Sequence, residues 1–407
     1  MCSESGSCQL FKDDRGGDYS DARYGRVQIG VSAQILQRDN VIFEQGDGGV
    51  PCEHPLRVFA VAGSGQKHAI CKQRKRPSHF LNVQLISDLV HPCCKFPKRS
   101  FQITLVPPQL FQGAREFHLN AEYVDPSYIR NKLSFDFFTK IGSYAPRAEH
   151  VLLYLNGECI GIYLKLEAVD DIFLADRGLP AGPIYYAVNA NANFSLLRHK
   201  TTEAKAALEA GYQRKLGTEA DDGYLRELIF RINATPQALF AHIIKKWLDI
   251  PQYLRWLAGA VCTQNLDGFV HSYALYRHAE NKRFFIIPWD YDATWGRNVN
   301  GRVLAPENLR VQGFNTLTAR LLDVPAFRTQ YVRLLQDILD TTFTVEHLRP
   351  HILALHDALR PYVSMDPYKQ DVLATFATEP AFICAFIEER NQFLRQSLKT
   401  FQHPRSG

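Results

Sequence analysis

The sequence predicts an α+β protein in which a small mixed lobe precedes a larger, mainly helical one. Three observations lead there. Two strand–turn–strand patterns, residues 150–155 with 159–166 and residues 272–277 with 283–287, supply sheet. A capped amphipathic helix stands ahead of the first of them, and residues 315–401 read as mainly helical. With 407 residues, 46% hydrophobic and 22% charged, the chain has ordinary globular composition and length enough for two lobes.

Along the chain, residues 1–80 show little periodicity and are punctuated by Gly46, Gly48, Gly49, Gly63 and Gly65. Loose strands such as 26–36 are the most they suggest, so residues 1–94 are expected to form an atypical, poorly ordered segment ahead of a domain spanning 95–400. Residues 99–106 read as a strand ending at Pro107 and Pro108. A helix is expected over 126–141. Asp125 suits its N-cap, Pro126 its first turn, and Gly142 the left-handed position beyond its end. Ile129, Leu133, Phe137 and Ile141 form its apolar stripe, and Arg130 and Ser134 fall off it. Asn156 and Gly157 suit the type I′ turn of the first hairpin, whose second strand ends at Glu167. Much of 202–260 reads as helical, including 236–247 and 251–261. In the C-terminal region Val332, Leu335 and Leu339 share one helical face. No internal repeat or low-complexity tract is visible.

Composition narrows the function. The net charge of +5 is modest, with one dense basic cluster at residues 72–76, and no nucleic-acid-binding signature accompanies it. No stretch approaches the roughly 18–20 apolar residues of a membrane span. Residues 1–17 are polar, without a basic region followed by an apolar one, so a cytoplasmic setting is expected. In that setting the glycosylation sequons at Asn193 and Asn233 carry little meaning. Cys2, Cys8, Cys52, Cys71, Cys93 and Cys94 crowd the N-terminal quarter near His54, His68 and His91. They contain no C-x₂-C pair, and adjacent Cys93 and Cys94 suit tetrahedral zinc poorly, so free thiols are expected.

The chemistry concentrates around the second hairpin. Asp267 lies just before it and Asp290 just after it. With the turn near Glu280 and Asn281, the position opposite Asp290 is His271 or Ser272, so both carboxylates return to the same open end. Phosphoryl transfer needs such a layout: one carboxylate orients the attacking hydroxyl and another holds magnesium against the nucleotide phosphates. Asp292 is a further candidate ligand. Two aspartates beside strands are also ordinary turn formers, and Asp-x-Asp alone is a weak motif.

Several ordered motifs together resemble the CotH family of spore-coat proteins. Leu119-Asn-Ala-Glu-Tyr-Val-Asp-Pro-Ser-Tyr-Ile-Arg-Asn-Lys-Leu133 is similar to the family's entry into a helix through Asp-Pro-Ser and Arg-Asn-Lys. Leu155-Asn-Gly-Glu-Cys-Ile-Gly-Ile-Tyr-Leu-Lys-Leu-Glu167 resembles its Asn-Gly hairpin. Asn265-Leu-Asp267, Leu275-Tyr276 and Pro288-Trp-Asp-Tyr-Asp292 with Gly296 resemble its signature centre. The likeness covers about residues 95–400.

The resemblance implies an atypical protein-kinase-like bilobal fold, ATP with Mg2+ or Mn2+, and Ser-rich spore-coat proteins as substrates in the mother-cell cytoplasm and the spore coat. It implies Asp267 as the catalytic residue and Asp290, with Asp292, as metal ligands. Lys98, Arg130 and Glu167 become candidates for phosphate contact or an internal ion pair. Trp289 and Trp295 read as core residues and His271 as a local hydrogen-bonder.

Two departures stand out. The kinase position five residues after the catalytic Asp, often an Asn that holds a second metal, is Ser272 here, and a hydroxyl is a weaker ligand. Residues 89–94 lack the family's Arg-Gly-x-Ser-type segment. A pseudokinase or coat-assembly scaffold is therefore one alternative. A metal-dependent glycosyltransferase using Asp290 and Asp292 is another, although it leaves Asp267 and the matching hairpins unexplained.

Overall fold

A computed structural model describes residues 96–402 except 106, 109, 156 and 157, together with the backbone of three earlier strands. Those are β1 (Gln28–Ser32), β2 (Arg57–Gly63) and β3 (Phe80–Ser87); β1 falls within the stretch 26–36 read as a loose strand. The six N-terminal cysteines, and most of the segment expected to be poorly ordered, lie outside the described residues. The described free thiols are Cys159, Cys262 and Cys384.

The small lobe is built on β4 (Phe101–Leu105), β5 (Glu116–Asn120), β6 (Ala148–Leu155) and β7 (Glu158–Glu167). With the first three strands they close a barrel in the order β1-β2-β6-β7-β5-β4-β3. Alternation explains the packing: Ile103, Leu105, Phe117, Leu119, Val151, Leu153 and Tyr163 point into one apolar cluster. The β6–β7 hairpin forms as expected, pairing Leu155 with Glu158, with a register irregularity at Leu153/Tyr154. Its two turn residues lie outside the described residues.

Between β5 and β6 runs α1 (Arg130–Lys140), shorter at its start than the predicted 126–141. Residues 126–129 form a turn instead, with Tyr128 at φ +60°. Asp125 still serves the helix start, because its carboxylate accepts from the Ser127 and Arg130 N–H groups at 2.8 and 2.9 Å. Gly142, at φ +78°, takes the left-handed position beyond the helix, where a side chain would be strained. A short helix, α2 (Asp171–Ala175), capped by Asp170, follows β7.

The larger lobe contains a second, antiparallel sheet and a helical body. The sheet has the order β11-β10-β8-β9, from β8 (Ile184–Ala187), β9 (Tyr212–Leu216), β10 (Tyr273–Arg277) and β11 (Phe284–Pro288). Strand β9 corrects the helical reading of the early part of 202–260. The helices there are α3 (Asp222–Ala234), α4 (Gln237–Ile244) and α5 (Ile250–Thr263). The C-terminal body holds α6 (Thr316–Leu322), α7 (Pro325–Thr341), α8 (Val345–Leu359) and α9 (Leu373–Gln402).

By length and composition α9 passes as a membrane span, which amends the reading that no segment does. Within the fold it packs Phe376, Ile383, Phe386, Ile387 and Leu394 into the main core and buries Glu379 and Arg390 with partners. Burial of its apolar face accounts for its composition.

Candidate functional site

The geometry begins at the end of α5. Gln264, at φ +60°, terminates the helix in a left-handed turn, and the Asn265 side-chain oxygen accepts from the Gly268 N–H at 2.8 Å. Asp267 opens the next tight turn, and its carbonyl accepts from the Val270 and His271 N–H groups. The chain then enters β10, turns, and returns along β11. The ladder pairs Tyr273 with Pro288, and the Trp289 N–H donates to the Ser272 carbonyl at 3.2 Å. Continuing that register sets Asp290 opposite His271, as the sequence suggested.

Helix α1 fixes the segment after β11. Three of its polar residues, Arg130, Asn131 and Ser134, are fully buried and hold the segment 291–295. The Asn131 oxygen accepts from the Tyr291 N–H at 3.0 Å, the Arg130 Nε–H donates to the Thr294 carbonyl at 3.0 Å, and the Trp295 indole N–H donates to Ser134 Oγ at 2.9 Å. Asp290 itself adopts φ +56°, a strained backbone state for a non-glycine residue that such clamps sustain.

The result is a concentration of negative charge. Burial first, then Asp290, Asp125 and Asp267, push the Asp292 carboxyl up to about 8. Asp290, Asp125 and Asp267 are thus each close enough to act on Asp292. Among the described residues, no three His, Cys, Asp or Glu side chains form a ready-made cation cage. A pair of hard carboxylates under mutual repulsion nevertheless fits magnesium or manganese, whose shell water and phosphate oxygens complete. Ser272, the remaining candidate ligand, is buried, and its Oγ lies in hydrogen-bond contact with His271 Nδ1 at 2.8 Å.

Each of the three candidate cofactor contacts is held by a partner within the protein. Lys98 is buried, donating to Asp366 Oδ2 at 2.7 Å and to the Ile162 carbonyl, with its ammonium 4.4 Å from the Tyr163 ring centroid. Burial lowers its pKa, and Asp366 opposes that shift. Arg130 is fully buried as well. It donates to Asp125 and, at 2.6 Å, to Glu379, which Arg297 also binds. Glu167 pairs with Arg177 at 2.7 Å and accepts from the Arg147 N–H. In each case the geometry displays an internal ion pair rather than a group turned outward. Asp366 and Glu379 come from the C-terminal helical region, and nothing in the sequence signalled them.

The tryptophans divide. Trp295 is core, stacked against Phe343. Trp289 is only partly buried and stands edge-on to His118 and Tyr186, at centroid distances of 4.9 and 5.0 Å. It therefore lines the junction between β5 and β8, next to Asp290.

The family described as CotH kinase protein matches residues 94–394, which include the α1 clamps, the hairpins and every aspartate above. The chain belongs to the CotH family. Over 303 residues it is 51% identical to the inner spore coat protein H of Bacillus subtilis (strain 168), covering 74% of this chain and 84% of that relative. The inner spore coat protein H-like protein of the same organism is 30% identical over 301 residues, covering 74% of this chain and 86% of that one. Among solved structures, similarity is found to Shewanella oneidensis HipA in complex with HipB and operator DNA (11% identity, TM-score 0.34, 74% of this chain and 60% of that chain). Similarity is also found to the Helicobacter pylori proinflammatory kinase CtkA (10% identity, TM-score 0.30, 74% of this chain and 94% of that chain). The bilobal α+β architecture described above is the one this CotH chain adopts, and the family assignment rests on the sequence matches.

Proposed function

We propose that this CotH-family protein is a metal-dependent protein kinase that moves the γ-phosphate of ATP to Ser or Thr hydroxyls of spore-coat proteins. The observation that carries the reading is the charge-coupled group Asp267, Asp290 and Asp292 at one end of the β10–β11 hairpin. Asp267 accepts the proton of the attacking hydroxyl as its oxygen bonds to phosphorus, and ADP leaves. Asp290 and Asp292 would hold a divalent cation, which when bound would neutralise charge on the phosphates. The α1 clamps keep the Asp290 segment in register with Asp267, so the two roles are preset before substrate arrives. The Bacillus relative named as an inner spore coat protein supports a spore-coat location; Ser-rich coat proteins as acceptors are what the CotH resemblance implies.

A scaffold that binds nucleotide without transfer is the second reading. It is favoured by the engagement of Ser272 with His271 and of Lys98 with Asp366. Transfer of labelled γ-phosphate to a Ser-rich coat protein, with magnesium or manganese, separates the two. Label that appears with the wild type and vanishes with Asp290→Ala supports the kinase. No label from a folded protein that still binds ATP supports the scaffold.

A further inference from the structure

Resting on the kinase reading, we infer that Glu122, in the loop between β5 and α1, is a further ligand to the divalent cation, so that the metal joins the small lobe to the Asp290–Asp292 segment. Glu122 is 3% exposed, yet its carboxylate is only half satisfied. Oε1 accepts from Asn131 Nδ2 at 3.0 Å, whereas Oε2 is buried and, among the described residues, has no hydrogen-bond partner. A buried carboxylate oxygen without a donor is costly, and such an atom in a native fold points to an absent ion or proton.

The placement of Glu122 is specific. The residue sits at φ +48°, a left-handed conformation that Glu adopts only when its surroundings impose it. Two clamps impose it here. The Lys369 ammonium donates to the Glu122 and Asp125 carbonyls, which fixes the loop backbone. Having spent those hydrogen bonds on carbonyls, Lys369 does not neutralise the Glu122 carboxylate through a direct bond. The second clamp is Asn131, which donates to Glu122 and accepts from the Tyr291 N–H. One side chain thus ties Glu122 to the residue between Asp290 and Asp292. Among the charges acting on Glu122, Asp292 is the strongest and Asp125 the next.

Asp125 has its own ion pair with Arg130, whereas among the described residues neither Glu122 nor Asp292 has a direct ion pair, and Lys369 offsets the Glu122 charge only through space. Two hard carboxylates brought together from different lobes, with one oxygen left open, form the half-shell that magnesium or manganese uses when phosphate and water supply the rest. Glu122 then fills the ligand place that Ser272, tied to His271, leaves unserved. Binding of the ion would draw the β5–α1 loop and the aspartate segment together, coupling lobe closure to metal.

The test is a titration of Mn2+ into the full-length protein, followed by electron paramagnetic resonance, with and without a non-hydrolysable ATP analogue. Wild type, Glu122→Gln and Asp290→Ala are compared, and each variant's melting temperature is measured without metal. Glu122→Gln keeps the oxygen that Asn131 needs, so it folds. The inference predicts at least about a tenfold loss of Mn2+ affinity in Glu122→Gln, as loss of a metal-site contact commonly produces, and partial recovery in Glu122→Asp. Wild-type affinity in a folded Glu122→Gln variant overturns the inference. If Asp290→Ala alone loses Mn2+ and γ-phosphate transfer, the kinase reading stands without Glu122 as a ligand. A higher melting temperature of Glu122→Gln with unchanged Mn2+ affinity identifies a shared proton instead and also overturns it. A wild type with neither Mn2+ binding nor transfer removes both readings.

Discussion

Replacing Arg130 by Met distinguishes a phosphate contact from a structural anchor, because the two predict different losses. In the structure, Arg130 donates to Asp125, Ser127, Glu379 and the Thr294 carbonyl, all in the interior. Removing it strands the Asp125 carboxylate, which Arg130 and Lys369 together hold below its ordinary pKa against the opposing effect of burial. Glu379 fares better, since Arg297 still pairs with it. Breaking one buried pair costs about 3–5 kcal/mol, and the retained Arg297 contact keeps the total near that range rather than double it. For a domain whose stability is about 5–15 kcal/mol, that is a large share, and it lowers the melting temperature by roughly 6–20 °C. Calorimetry on Arg130→Met tests the size. Adding Asp125→Asn should recover part of the loss, because the stranded charge is gone, so the double variant is less unstable than the sum of the singles. A variant that melts within about 2 °C of wild type but loses ATP affinity would refute the anchor, since an exposed phosphate contact costs binding and little stability.

Other outcomes follow from the same packing. A Cβ at Gly161 would lie 2.4 Å from the Asp366 carboxylate, at a φ of +105° that other residues avoid. Gly161→Ala is therefore expected to cost about 1–3 kcal/mol from overpacking, read as a lower urea midpoint; an unchanged midpoint contradicts the close approach. His150 hydrogen-bonds the Tyr128 carbonyl and, chiefly through burial, titrates at about 4 rather than near 6.5. The unfolded chain then binds the extra proton first. Stability is full above about pH 6.5 and falls towards pH 4 by up to about 1.4 kcal/mol per unit. Urea midpoints across that range should slope less in His150→Gln, and an equal slope rules this source out.

What was legible in the sequence was local or register-bound. The hairpins announced themselves through alternation and turn residues, and the Asp267–Asp290 juxtaposition followed from counting along a single ladder. Strand β9 was hidden because Tyr212–Leu216 carries Gln, Arg and Lys on a half-buried edge, without the apolar alternation that marks a strand. Arg130 and Ser134 fall off the apolar stripe, which gives no sign of their burial; in a largely buried helix such polar residues hold neighbouring segments. Asn131 stood inside a quoted motif without a role until the Tyr291 N–H was seen beside it. Asp366 and Glu379, the distant carboxylates that meet Lys98 and Arg130, lie 268 and 249 residues downstream, and no local pattern encodes such meetings.

The central claim is the division of labour between Asp267 and Asp290. It is tested most directly by measuring metal-dependent ATP binding and γ-phosphate transfer together in Asp267→Asn and Asp290→Ala. The account predicts that Asp267→Asn binds nucleotide like the wild type and transfers nothing, whereas Asp290→Ala loses the metal-dependent binding itself. Equal loss of binding in both folded variants, or transfer that survives in Asp267→Asn, would contradict it.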